Sequence, residues 1–122
     1  MTVPPRNIGQ RVDVLTGFAE EASERGECFF YVRIPAPLQP LERGERFEDP
    51  LHEVLSAAGV GEVAGGGSQL DEVGEIVYCG IDVYVNDRAR GLDLLRSTLK
   101  QLGVPDGTVV EEFLPDWSEL PL

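Results

Sequence analysis

The chain has 122 residues, 42% hydrophobic and 26% charged, which is the size and composition of one globular domain. Its 22 acidic residues against 10 basic ones give a formal charge of −12, which excludes a phosphate-neutralising surface for nucleic acid and disfavours anionic membranes. No apolar run approaches the ~20 residues needed to cross a bilayer, "MTVPPRNIGQ" has no signal-like apolar region, and two cysteines without metal-type spacing exclude a zinc ribbon or disulfide scaffold. The expectation is a cytoplasmic protein with two reduced thiols and no cofactor.

Residues 1–9, with Pro4, Pro5 and Gly9, read as irregular. In "QRVDVLTGFAEEASERGE" the stripe Leu15, Phe18, Ala19 and Ala22 predicts a helix, stopped by Gly26, with Glu21 and Arg25 spaced to pair. "CFFYVRI", residues 28–34, is an aromatic and β-branched strand ended by Pro35. The segment 35–48 holds Pro35, Pro37 and Pro40 and reads as a stiff extended loop, long enough to be a functional one.

"DPLHEVLSAAG" predicts a helix capped by Asp49, with Pro50 at its first position and Gly59 at its end. A strand interrupted by Gly65, Gly66 and Gly67 follows, then the turn "DEVGE" and the strand 76–86, "IVYCGIDVYVN". "DRARGLDLLRSTLKQLG" is a helix with Asn86 or Asp87 as cap and Leu92, Leu95, Leu99 and Leu102 as its apolar stripe. "VPDG" turns into a last strand, "TVVEEF", and the tail "LPDWSELPL" reads as irregular.

After the first helix the order is β-α-β-β-α-β, the order of a ferredoxin-like α+β domain. The expected architecture is a four-stranded antiparallel sheet, order 4-1-3-2, with two helices on one face. The expected organisation is an N-terminal extension with helix over 1–26, the ferredoxin-like domain over 27–114, and an irregular tail over 115–122. Many unrelated functions share this fold, so it does not name an activity.

Strand alternation divides the central strands into faces. Val77, Cys79, Ile81, Val83 and Val85, with Cys28, Phe30, Val32 and Ile34, are the aliphatic set expected under the two helices. Cys28 and Cys79 are therefore expected to be buried and inert. The other face carries Phe29, Tyr31, Arg33, Tyr78, Asp82 and Tyr84. Four aromatics there exceed the apolar patch a soluble monomer exposes, so this face is the candidate interaction face. Its first expected cover is the N-terminal helix around Leu15 and Phe18. The tail with Trp117, a second copy of the chain or a partner protein are the others.

Sheet aromatics on a βαββαβ frame resemble the platform on which RNA-recognition motifs stack bases. Here Asp82 stands mid-face, Arg33 is its one basic residue and the chain is strongly acidic, so RNA is excluded. The triglycine follows a helix and leads to a strand, and no Lys accompanies it, so neither a Rossmann turn nor a P-loop fits. A bend or close approach in an edge strand is the expected role, and Gly65, Gly66, Gly67 and Ser68 are a candidate ligand segment. His52, the single histidine, reads as a solvated helix residue, and no catalytic or metal residues are assigned. The composition points to a non-enzymatic acidic module that binds protein, an inhibitor or immunity-type protein acting on a basic partner. The alternative is a small-molecule-binding regulatory domain that uses the glycine segment and the 35–48 loop.

Overall fold

The computed structural model describes residues 6–122, with side chains described from Val12 onward. Residues 1–5 of the expected irregular start lie outside the described residues, whereas 6–9 are already helical. The first helix, α1, runs Arg6–Glu24 and is followed by strand β1, Cys28–Ile34. Next come α2 (Pro40–Arg43), a π-helical turn (Gly44–Glu48) and α3 (Asp49–Ala57). Strands β2 (Gly61–Leu70) and β3 (Ile76–Val85) form a hairpin, and α4 (Arg88–Gln101) leads to β4 (Val109–Glu112) and β5 (Ser118–Pro121).

The strands make one α+β sheet in the order β2-β3-β1-β4-β5, with every neighbouring pair antiparallel. The sheet is thus five-stranded rather than four-stranded. The tail expected to be irregular supplies the fifth strand, pairing Val109 with Pro121 through Glu112 with Ser118. Two prolines hid it, and an edge strand tolerates proline because its outward N–H needs no partner strand. Among the described residues, no helix is long and apolar enough to cross a membrane.

The 35–48 segment is also more ordered than an extended loop. Pro40 has no N–H to lose at a first helical position, and α2 starts there. The chain then stays helical through Asp49, so Asp49 is inside the helix and does not cap it. Pro50 cannot continue an ordinary i→i−4 ladder, and the π turn before it, with Asp49 N–H donating to the Gly44 carbonyl, widens the backbone just ahead of the ring. By contrast α4 is capped as expected: Asp87 accepts from Arg90 N–H at 3.1 Å.

Two cores flank the sheet. On one face Phe30, Val32, Ile34, Cys79, Ile81, Val83 and Val85 pack with Leu51 and Leu55 of α3 and with Leu95 and Leu99 of α4. On the other, Leu15, Ala19 and Ala22 of α1 pack on Phe29, Tyr31 and Phe113. One member of the expected core falls out: Val77 is exposed. β1 ends with Ile34 opposite Cys79, so Val77 lies beyond its reach, and a register shift between Gln69 and Leu70 leaves it facing an irregular edge.

Candidate functional site

The aromatic face is closed by the protein's own first helix. Phe29 and Tyr31 are buried, and Tyr78 and Tyr84 are half-buried beside them. Phe18 meets Phe29 edge-on at 5.9 Å, and Phe29 packs against Tyr84 at 5.1 Å and Phe113 at 5.8 Å. The first is the T-shaped geometry that ring quadrupoles favour, and the other two are tilted contacts within the same range of centroid distances. Arg25 lies over the Tyr84 ring at 5.4 Å, and it pairs with Glu27 at 2.9 Å rather than with Glu21. Phe29 and Tyr31 of the candidate interaction face are therefore part of a core under α1, while Tyr78 and Tyr84 keep part of their surface exposed.

Arg33 and Asp82, the two charges on that face, do not pair. Register places Arg33 opposite Gly80 and Tyr31 opposite Asp82. Arg33 turns instead toward β4 and β5, 3.4 Å from Glu111 and 3.3 Å from Glu119. Glu111 is fully buried, and Trp117 Nε1 donates to its Oε2 at 2.6 Å. A buried carboxylate is costly unless bonded, so this network fixes the last two strands to the sheet. Sequence reasoning missed it because nothing local in "TVVEEF" marks Glu111 as the buried carboxylate.

Asp82 belongs to a second cluster, where the glycine segment and the 35–48 segment meet. Arg43 of α2 is buried, and its Nη1 donates to the Gly67 carbonyl at 3.0 Å and to Ser68 Oγ at 3.1 Å. Its Nε stands 3.4 Å from Glu48 Oε2. A Cβ on Gly66 would run into Glu48 Oε1 and stand 2.6 Å from the Gly80 carbonyl and 3.1 Å from Arg43 Nε. Gly66 thus lets a charged helical segment lie against the edge strand, a close approach that only a missing side chain permits. Gly65, next to a register shift after Val63, faces Asp82, while Gly67 has open space around its Cβ position.

Two outward groups of β2 are capped by this side of the molecule. Arg43 takes the Gly67 carbonyl, and Val63 N–H donates to His52 Nδ1 at 3.0 Å. His52 is exposed, as expected, but it has a structural partner. Capping an edge strand in this way blocks stray strand pairing. A depression of about 270 Å³ lies beside it, lined by Glu48, Asp49, His52, Val63, Ala64 and Gly65. Among the described residues, no group of His, Cys, Asp or Glu could hold a metal ion. Arg43 and Glu48 were not singled out from sequence, because they are two of five charged residues in the 35–48 segment and nothing local marks them as the inward pair.

Burial raises the Asp82 carboxyl above its ordinary value of 3.8, the Glu48 charge raises it further, and Arg43 partly offsets both. A carboxyl raised by folding holds a proton that the unfolded chain has released, so stability falls as pH rises through that window. Above the window the ionised group is a standing cost. Asp82→Asn should therefore raise the melting temperature at pH 7, and the gain should shrink as pH is lowered toward 3.8. A lower melting temperature for the variant at pH 7 would mean that the carboxylate is a net favourable partner of Arg43.

The thiols separate. Cys79 is buried as expected, but Cys28 is half-buried, because it opens the first strand where the helices no longer cover it. Burial raises both thiols above their ordinary value; at Cys28 Glu112 adds to the rise and Arg88 opposes it. Comparison with protein-family models, curated proteins and solved structures finds no match for this chain.

Proposed function

We propose that the protein is a non-enzymatic acidic interaction module that binds a basic partner protein, in the manner of an inhibitor or immunity protein. We read its frame as a ferredoxin-like βαββαβ core lengthened by β5. The observation that carries the reading is how the charges are distributed. Arg25, Arg33, Arg43, Arg46 and Arg88 each lie in an ion pair with a carboxylate of the same chain. With those cations used internally, the excess of carboxylates faces outward. Asp13, Glu20, Glu21 and Glu24 are exposed on α1, and Asp71, Glu72 and Glu75 are exposed on the β2–β3 turn. Such a surface steers a positively charged partner and sets the association rate more than the final affinity.

A partner recovered by affinity capture should carry net positive charge, and its association rate should fall steeply as salt shortens the range of the field. Reversing Glu20, Glu21 and Glu24 to Lys together should slow association by about tenfold or more while leaving the fold intact. A complex indifferent both to salt and to this reversal would refute the reading. The small-molecule alternative retains one support: the glycine segment and the 35–48 segment do meet, through Arg43. Against it, the guanidinium and Glu48 already fill the space above Gly66.

A further inference from the structure

A cavity of about 390 Å³ lies at the opposite end of the sheet from the β2–β3 turn, and neither reading above uses it. Its cause is topological. β1 pairs with β4 only over Tyr31 to Arg33, so Cys28 to Phe30 have no paired residue in β4. α1 bridges this unpaired end from one side, the N-terminus of α4 stands on the other, and the chain after β4 closes the top. The cavity's mouth is open, with Ser23, Arg88 and Pro115 exposed, and its volume lies within the about 300–1,000 Å³ of small-molecule sites.

The walls define what could fill it. Ala19, Phe29, Leu114 and Pro115 provide apolar surface, and Cys28 lies at the strand start. The charged groups at the rim are already matched. Arg88 donates to both Glu112 oxygens, at 2.7 and 2.8 Å, and Glu27 pairs with Arg25 at 2.9 Å. A bidentate guanidinium–carboxylate pair is among the stronger polar contacts, and a charged ligand would have to break it or leave its own charge unmatched. We propose that this cavity binds a small, uncharged, largely apolar molecule. The proposal stands apart from the docking of a basic protein, because it uses none of the exposed carboxylates on which that reading rests.

The full chain supplies its own reporter, since Cys28 lines the cavity and Cys79 is buried. N-phenyl-1-naphthylamine, a neutral apolar fluorophore, should bind saturably with one-to-one stoichiometry in the micromolar range. At saturation it should slow alkylation of Cys28 by iodoacetamide at least tenfold, with Cys79 unlabelled throughout. Its sulfonated analogue, 1-anilinonaphthalene-8-sulfonate, should bind at least tenfold more weakly. Ala19→Phe should fill the space and abolish binding; Ser23→Leu, at the exposed rim, is the second variant should the first fail to fold. Absence of saturable binding would overturn the proposal. So would binding that leaves Cys28 alkylation unchanged, or that persists in a folded cavity-filled variant. Equal affinity for the sulfonate would overturn the uncharged class.

Discussion

Gly80→Ala should cost about 3 kcal/mol or more and lower the melting temperature sharply, because overpacking penalties of ~1–3 kcal/mol here add to a forced ring movement. Gly80 lies in the central strand β3, opposite Arg33. A Cβ there would overlap the Tyr31 phenol, meeting Oη, Cζ and Cε2 together. Tyr31 is itself 6% exposed beneath α1, so its ring has nowhere to swing. Domains are stable by only ~5–15 kcal/mol, which makes such a loss severe. Urea melts of Gly80→Ala and of the double variant Gly80→Ala/Tyr31→Ala check the cause. If the ring is the obstacle, the double variant should be more stable than additivity of the two single changes allows.

The same argument separates Gly66 from Gly67 among the three consecutive glycines. Gly66→Ala should destabilise by ~1–3 kcal/mol, since one of its new contacts is the rigid Gly80 carbonyl. Gly67→Ala meets nothing within 4 Å and should be neutral or stabilising by a few tenths of a kcal/mol, the entropy advantage of alanine in the unfolded chain. None of the three has a positive φ, so space and not backbone conformation separates them. Equal costs at Gly66 and Gly67 would point to a purely flexible role for the segment.

What the sequence made legible follows from period and punctuation. The stripe Leu15, Ala19 and Ala22 and the alternation of Phe30, Val32 and Ile34 mark buried faces, because helices and strands expose side chains at 3.6 and 2 residues. Gly59 and Gly103 mark helix ends and adopt φ values of +67° and +73°. The sheet's fifth strand was hidden because "SELP" has neither strong alternation nor β-branched residues; its pairing with Val109 to Glu112 is a tertiary fact. The polar networks were hidden for the same reason. Arg43 with Ser68 and Arg33 with Glu119 join residues far apart in the chain, and no local pattern encodes which partner each guanidinium finds. The cavity was illegible too, because it lies where the pairing of β1 with β4 stops, and the extent of that pairing is a tertiary fact.

Removing residues 1–25 should convert the folded protein into an aggregating or unfolded chain. The deletion takes away Leu15, Ala19 and Ala22, which seal Phe29, Tyr31 and Phe113. Baring those rings would expose several hundred Å² of apolar surface, roughly 5–10 kcal/mol at ~25 cal/mol per Å². That is comparable to the whole stability of a small domain. The second core, between the sheet and α3 and α4, would remain assembled in composition, so a partly folded chain with a sticky sheet face is the expected product. A milder variant keeps the result readable where the truncated chain cannot be purified: Leu15→Ala in the full chain should cost ~2–4 kcal/mol, the usual range for a buried leucine. Sedimentation of the truncated protein and chemical denaturation of Leu15→Ala provide the measurements. A truncated chain with unchanged stability and no new self-association would mean that α1 rests on the aromatic face without holding it, and would return those three rings to the surface as a docking platform.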